Sequence, residues 1–355
     1  MKEPVSTLIG NQDSYSVVQK LPHHKKHKLI VIGLGNQARK DHIPAILRRD
    51  DVEIVALVDK NVELLEEHGR SVGAKVYSDL EAAIRDTRPD VAIVSIPHNE
   101  YFGILEILAR NHVATLKEKP LAMTYEEAKK IISLYQSHDT YLQICVQRRF
   151  SKLYDTTKEL LDSIGRIYSA YVEYTLNLSA AEMENGWRAD RVISGGGAAL
   201  DMGYHSIDLL TYLFGVPDRI YAQLNYNSLS KKYTIEDSMK AMMTYCDGQI
   251  NTNVVVTKIF SQKSEKARIF GANGAVYVDG RTVTLLDKDG SEVESHSFNL
   301  KQHEVDSQLD YFLKRAGKRM HFDAQDQNLI DQLSNMRTID AIYKSHNNGK
   351  AIKLR

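Results

Sequence analysis

From Lys28 to Val146, short continuous apolar runs alternate with longer stretches whose apolar residues recur at helical spacing. The runs Leu29–Ile32, Glu53–Val58, Lys75–Tyr77, Val91–Ile96, Val113–Leu116 and Tyr141–Val146 are short and rich in β-branched residues, as buried strands are. Between them the pattern predicts helices. One has Ile43, Ile46 and Leu47 on a single face, one covers Val62–Gly69, one is N-capped by Asp79 and one covers Glu100–Arg110. Another opens with the capping box Thr124-Tyr125-Glu126-Glu127. Alternation of this kind predicts a doubly wound parallel sheet over residues 28–149. A ligand crevice then lies outside the carboxyl ends of the strands, where Pro97, Lys117-Glu118-Lys119-Pro120 and Gln147-Arg148-Arg149 fall.

After Phe150 the pattern changes. Ser151–Ser163 is helical. The runs Arg166–Leu178, Ile220–Asn227, Asp237–Cys246, Gln249–Lys258, Lys266–Phe270, Ala275–Val278, Thr282–Asp287 and Val293–Asn299 then read as strands. Turn pairs Asp247-Gly248, Asn273-Gly274 and Asp289-Gly290 make several of them antiparallel neighbours. A long helix, Ala198–Phe214, is stopped by Gly215 and Pro217, and two more, about Glu304–Ala316 and Ala324–His346, close the chain. Residues 150–355 are therefore expected to form an α+β domain with an open, mostly antiparallel sheet. Residues 1–27 are polar and aperiodic, an extension outside the fold. Its cluster His23-His24-Lys25-Lys26-His27 is expected to be a solvated arm, since the lysines oppose a cation, and no metal is expected.

The first predicted strand runs straight into Gly33-Leu34-Gly35-Asn36-Gln37-Ala38, a G-x-G-x-x-A turn that opens a helix. The following strand ends in Asp59, close to the roughly 20 residues past the motif expected of a dinucleotide-binding Rossmann unit. Gly33 allows the tight turn, Gly35 lets the backbone approach a pyrophosphate, and Ala38 lets helix and strand pack closely. The helix start, with Asn36 and Gln37, offers free N–H groups to the phosphates. Asp59 suits the hydroxyls of an unphosphorylated ribose and repels a 2′-phosphate, so NAD is the expected cofactor; Arg39 and Lys60 leave NADP open.

Composition narrows the function. Lys plus Arg and Asp plus Glu each number 46, so no net charge draws the chain to nucleic acid or to an anionic membrane. No apolar run approaches about 18 residues, and the N-terminus lacks an apolar signal core, so a cytoplasmic enzyme is expected. Cys145 and Cys246 each sit in an apolar, strand-like run and read as small buried residues.

Two further stretches carry chemistry. Glu118-Lys119-Pro120 ends a parallel strand beside the crevice, and Pro120 biases Lys119 towards an extended conformation. Ser194-Gly195-Gly196-Gly197 makes a flexible approach to a helix on which Asp201 and His205, four apart, share a face. A neutral imidazole there can take a proton from a sugar hydroxyl while Asp201 either orients the ring or shares a hydrogen-bond network with the substrate.

With these residues in place the sequence resembles the Gfo/Idh/MocA oxidoreductases, the group of glucose–fructose oxidoreductase and inositol dehydrogenase. The resemblance runs from about Lys28 to the C-terminus. It rests on Gly33-x-Gly35-x-x-Ala38, Glu118-Lys119-Pro120, Trp187-Arg188, and the run from Gly195 through Asp201, Gly203 and His205 to Asp208. It implies that Lys119, Asp201 and His205 surround the reacting carbon, with His205 as acid/base. On the cofactor side it implies Gly33, Gly35, Asn36, Gln37, Ala38, Asp59, Pro97, Glu118 and Lys119. On the substrate side it implies Lys119, Trp187, Arg188, Asp201 and His205; Arg149, read from its own place at a strand end, is expected to meet an anionic group of the substrate or to make a surface ion pair. It also implies a sugar, cyclitol or nucleotide-sugar substrate and a homodimer or homotetramer formed through the open sheet. A non-catalytic nucleotide-binding sensor of the same fold is the alternative, and reduction of an imine or enone a third. Where the family often reads P-N-x-x-H, this chain reads Pro97-His98-Asn99-Glu100-Tyr101, with tyrosine in place of histidine.

Overall fold

The computed structural model of the protein describes residues 26–177, 186–226, 233–298, 301–318 and 321–355. Strands β1 (His27–Ile32), β2 (Val52–Val58), β3 (Lys75–Tyr77), β4 (Val91–Val94), β5 (Ala114–Lys117) and β6 (Leu142–Ile144) form one sheet in the order β3-β2-β1-β4-β5-β6. Every pairing in it is parallel. The order reverses direction at β1, so a crevice opens above the ends of β1 and β4. His27 already belongs to β1, one residue into the expected extension, and residues 1–25 lie outside the described residues.

Alternate residues of the strands feed two cores. Ile30, Ile32, Ala56, Ala92 and Val94 meet Leu80, Ala83, Leu105, Ile131 and Tyr135 on one face. On the other, Leu29, Val31, Leu57, Ile93 and Leu116 meet Ile43, Ile46 and Leu65, together with Val305, Leu309, Phe312, Leu313 and Ala316 from helix Lys301–Lys318. That helix therefore covers the first sheet, although some 150 residues of chain separate it from β6 in sequence. The edge strand β6 is blunted by side chains from afar: Asn328 bonds both Ile144 N–H (2.9 Å) and Ile144 C=O (3.0 Å), and Gln308 Oε1 accepts from Val146 N–H (2.8 Å).

The second sheet contains β7 (Ile167–Asn177), β8 (Arg219–Asn225), β9 (Ser238–Tyr245), β10 (Ile250–Thr257), β11 (Ile259–Gly271), β12 (Gly274–Asp279), β13 (Thr282–Asp287), β14 (Glu292–Ser297) and β15 (Ile352–Lys353). Their order is β14-β13-β12-β11-β7-β10-β9-β8-β15, and the pairing is antiparallel except between β7 and β10. β8 alternates strictly between exposed and buried positions, so one face packs on the core and one is open. Two expectations fail here. β11 starts at Ile259 rather than Lys266, because its exposed first half carries no apolar alternation to read. Cys246 is exposed, at φ +55 in the turn after β9, not buried within a strand.

Arg149 also departs from its expected place. It does not face a substrate but is 2% exposed, forked onto Asp208 (Nε–Oδ2 2.9 Å, Nη2–Oδ1 2.8 Å) and paired with Asp331 (2.6 Å). Gln332 (3.0 Å) and Asn335 (2.8 Å) donate to the same Asp208 oxygen. The guanidinium thus ties the crossover after β6 to helix Gly203–Phe214 and to helix Gln327–Asn348. A buried ion pair broken on one side leaves an uncompensated charge, so Arg149→Met should cost about 3–5 kcal/mol of stability, read by urea unfolding. A loss within about 0.5 kcal/mol, the range of an ordinary surface change, would contradict the role given to this guanidinium.

Candidate active site

The turn after β1 is shaped by close contact. Gly33 has φ +86, and a Cβ there would lie 2.2 Å from the Ser95 carbonyl oxygen, so only glycine fits. Its N–H donates to Val58 C=O (2.8 Å). Gly35 and Asn36 are exposed, Gln37 is half-buried and Ala38 is fully buried against the core. Ala38–His42 then runs as a wide π-type turn, with Ile43 N–H reaching Ala38 C=O. Asp59 stands at the mouth of the turn: Oδ2 accepts from Leu34 N–H (2.6 Å) and Oδ1 from Asn61 N–H (2.8 Å). An open helix start beside an oriented carboxylate fits a dinucleotide with an unphosphorylated ribose. Arg39 donates to Asn36 Oδ1 (3.0 Å) and Lys60 pairs with Glu100 (2.7 Å), so both nearby cations already have partners.

Beyond β4, Pro97 is half-buried and His98 is buried. The His98 ring donates from Nδ1 to Ser194 C=O (2.6 Å) and meets the edge of Trp187 at 4.6 Å between centroids. Burial drives its pKa down to about 3. Tyr101, the residue standing where histidine was expected, is 1% exposed and lies beneath the ammonium of Lys117, 3.2 Å from the ring centroid. Lys117 is itself fully buried; its Nζ donates to the carbonyls of Glu118 (2.7 Å) and Pro120, on either side of Lys119. Burial lowers the Lys117 pKa well below the usual lysine range. Sequence reading placed Lys117 at the crevice but gave it no role of its own, because a lysine at a strand end is ordinarily solvated.

Glu118, expected on the cofactor side, is buried, with Oε1 against His42 Nε2 at 2.8 Å. Burial pushes its carboxyl up, but His42, Lys119 and Lys117 outweigh that and leave it lowered. The donor atoms of His42, Glu118 and Cys145 lie within 4.8 Å of one another; a hydrogen-bonded His–Glu pair beside a buried lysine accounts for them.

Lys119 does reach the second stretch. Its Nζ donates to Asp201 Oδ1 and to the Asp201 carbonyl, both at 2.9 Å. Asp201 lies in the π-type turn Ala198–Met202, and His205 in the helix Gly203–Phe214 that continues it. Wide turns of this kind recur at functional sites. The glycines before it do not supply flexibility, as expected, but close packing. A Cβ on Gly197 would lie 2.0 Å from the Glu236 carbonyl oxygen, and buried Glu236 Oε1 accepts from Gly197 N–H (2.8 Å), Ala199 N–H (2.9 Å) and Tyr343 Oη (2.8 Å). Lys258, unforeseen, donates to Asp201 Oδ2 at 2.9 Å and is fully buried. Arg188 Nε stands 3.6 Å from the same oxygen, and its guanidinium lies over Trp187, 4.4 Å from the ring centroid. Burial raises the Asp201 carboxyl, but Lys119, Lys258 and Arg188 together hold it well below the usual carboxylate range. His205 faces Tyr174 (6.4 Å between centroids). Desolvation first, then Arg148 and Lys119, lowers its pKa well below the ordinary 6.5.

Two measurements follow from this geometry. NADH should bind at least about tenfold more tightly than NADPH, a difference of roughly 1.4 kcal/mol, in fluorescence titrations; equal affinity would discount the Asp59 carboxylate. A depressed folded-state pKa means that the imidazole is neutral at pH 7 and gains its proton only on further acidification. The His205 ring resonance, assigned by its loss in His205→Gln, should therefore titrate below pH 6.5. A midpoint at or above that value would contradict the desolvated setting.

Comparison with known proteins identifies both domains. Residues 27–145 match the model of the Gfo/Idh/MocA oxidoreductase family's NAD-binding Rossmann fold, and residues 158–354 match that of its C-terminal alpha/beta domain. The D-glucoside 3-dehydrogenase of Escherichia coli is 25% identical over 92% of this chain and 97% of its own. Two uncharacterized oxidoreductases of Schizosaccharomyces pombe are 27% and 28% identical, and this chain spans 63% and 60% of their lengths. Aldose-aldose oxidoreductase from Caulobacter crescentus, crystallised with glycerol, superposes with a TM-score of 0.81 at 21% identity, over 93% of this chain and 100% of that one. A levoglucosan dehydrogenase complexed with NADH and levoglucosan gives 0.81 at 18% identity, over 93% and 99%. The chain is thus a member of the Gfo/Idh/MocA oxidoreductases, and its first domain is that family's NAD-binding Rossmann fold.

Proposed function

We propose that the protein moves hydride between the nicotinamide of NAD and a hydroxyl-bearing carbon of a sugar, cyclitol or nucleotide sugar. One observation carries this reading: a desolvated neutral imidazole, His205, belongs to the same cluster as the Lys119 ammonium and the Asp201 carboxylate, beside the parallel sheet's crevice. In the oxidative direction the His205 imidazole takes the hydroxyl proton. Lys119 Nζ donates to the substrate oxygen and stabilises the charge that develops there. Asp201 keeps the lysine charged and in place. When bound, NAD supplies at its nicotinamide C4 the acceptor for the hydride. The Gly33–Ala38 turn holds the pyrophosphate, Asp59 the ribose hydroxyls, and Pro97 flanks the nicotinamide. Trp187 and Arg188 line the substrate side. The likeness to D-glucoside 3-dehydrogenase over nearly the whole chain supports a sugar or sugar derivative as substrate.

We also propose that the open face of the second sheet joins copies of the chain into a dimer or tetramer. Tyr221 and Met242 are cross-strand partners on β8 and β9, and both are exposed, at 39% and 57%. Phe260, at 52%, adds to the exposed apolar surface of the same sheet. Sedimentation should give a multiple of the 40.2 kDa chain, and a Tyr221→Glu/Met242→Glu variant should sediment as the monomer. A native monomer would reject this interface.

The activity test is a screen of polyols, sugars and nucleotide sugars with NAD, followed by absorbance of NADH. At least one should be oxidised, and with it His205→Ala and Lys119→Ala should each lower kcat by about 10²–10⁴-fold while NADH still binds. Turnover equal to wild type in both variants would reject the assignment; reduction of no cofactor by any compound would favour a sensor.

A further inference from the structure

Lys258 follows β10 and has no exposed surface. Its backbone N–H donates to Asp237 C=O (2.9 Å), which fixes the start of the side chain. Its Nζ then donates to Asp201 Oδ2 at 2.9 Å, the only side-chain acceptor it bonds among the described residues. Lys119 takes the other oxygen of that carboxylate, at the same distance. The two lysines differ in access. The Lys119 side chain is 15% exposed and sits at the end of the crevice, whereas that of Lys258 is wholly enclosed.

This difference decides which lysine can leave. A substrate hydroxyl entering the crevice can draw Lys119 Nζ away from Asp201. Without a second cation Asp201 would then be a largely buried anion, neighboured only by the half-exposed Arg188 at 3.6 Å. Leaving a buried charge unpaired costs several kcal/mol, enough to hold Lys119 where it is. A lysine that cannot leave removes that penalty.

We propose that Lys258 is the permanent counter-ion of Asp201, a positioning residue that lets Lys119 exchange its carboxylate partner for the oxygen of the substrate. The inference rests on reading Lys119 as the group that meets substrate. Other titratable groups near the cluster are His205 and Tyr174 from the second domain, and His98, Tyr101, Lys117 and Glu118 from the first. All are kept in the variants below.

The test reads Lys119 directly and needs no substrate. The whole protein is acetylated with trace acetic anhydride across a range of pH, and acetyl-Lys119 is quantified by peptide mass spectrometry. In Lys258→Met, Asp201 has Lys119 as its one lysine partner, so the ammonium is held more tightly and its free amine is less available. Labelling is expected to fall by at least about threefold. Asp201→Asn should do the reverse and speed labelling. Lys258→Arg, which keeps the charge, should label at the wild-type rate. Lys258→Gln replaces the methionine variant if that one does not fold. Unchanged Lys119 labelling in a folded, NADH-binding Lys258→Met protein overturns the proposal. The hydride-transfer reading fails by a separate route, with no sugar oxidised even though Lys119 labelling responds to Lys258. Where a substrate is found, Lys258→Met should lower kcat at least tenfold alone and add little in an Asp201→Asn background; additive losses also overturn it.

Discussion

A buried guanidinium, that of Arg149, is the constraint on which the geometry of the crevice depends. It emerges just after the last strand of the first sheet and grips Asp208, on the helix that also carries His205. The same Asp208 oxygen is shared with Gln332 and Asn335, and the guanidinium also holds Asp331 on the final helix. Three segments remote in sequence are therefore locked at one point. Planarity matters here: a bidentate fork fixes orientation as well as distance, which a lysine at this position would not do. The helix so oriented presents Asp201 to Lys119, and the two halves of the crevice meet.

At Asp201 burial and charge oppose each other and charge decides the outcome; at His205 they act together. Asp201 would be raised by desolvation, yet three cations keep it ionised. His205 has desolvation and three cations, Arg148, Lys119 and Lys263, acting together, with Asp201 against them, and stays neutral. The result is an anion, an ammonium and a neutral base in one small volume, each in the state that the proposed proton transfer at a hydroxyl requires. Beneath them lies another buried lysine, Lys117, whose Nζ caps Tyr101 and grips the backbone on both sides of Lys119. The turn that carries Lys119 is thus held from below.

Much of this could be read along the chain, and the reasons are local. A parallel strand covered on both faces is apolar throughout when nothing pairs with a polar side chain, so β4 declared itself. A turn whose Cβ would strike Ser95 needs glycine, so Gly33 marked the crevice. Lys119, Asp201 and His205 stood out because they sit beside residues with backbone consequences, Pro120 and the glycine run. Arg149 was misread for the opposite reason. An arginine at a strand end looks available to a ligand, and nothing nearby in sequence reveals that Asp208 and Asp331 will enclose it. Lys258 stayed unnoticed because a lysine after an alternating strand is usually solvated.

Sequence alone determined the two kinds of sheet and the dinucleotide turn, and through Asp59 it pointed to an unphosphorylated ribose, since each follows from the pattern of side chains within a short window. Tertiary structure alone decided which charges are buried and who neutralises them: Arg149 by Asp208 and Asp331, Glu118 by His42, Asp201 by Lys119 and Lys258. Those pairings join residues as far as 182 positions apart. The energy of a charge depends on the solvent and counter-charges around it in space, and these are set only once the chain has closed.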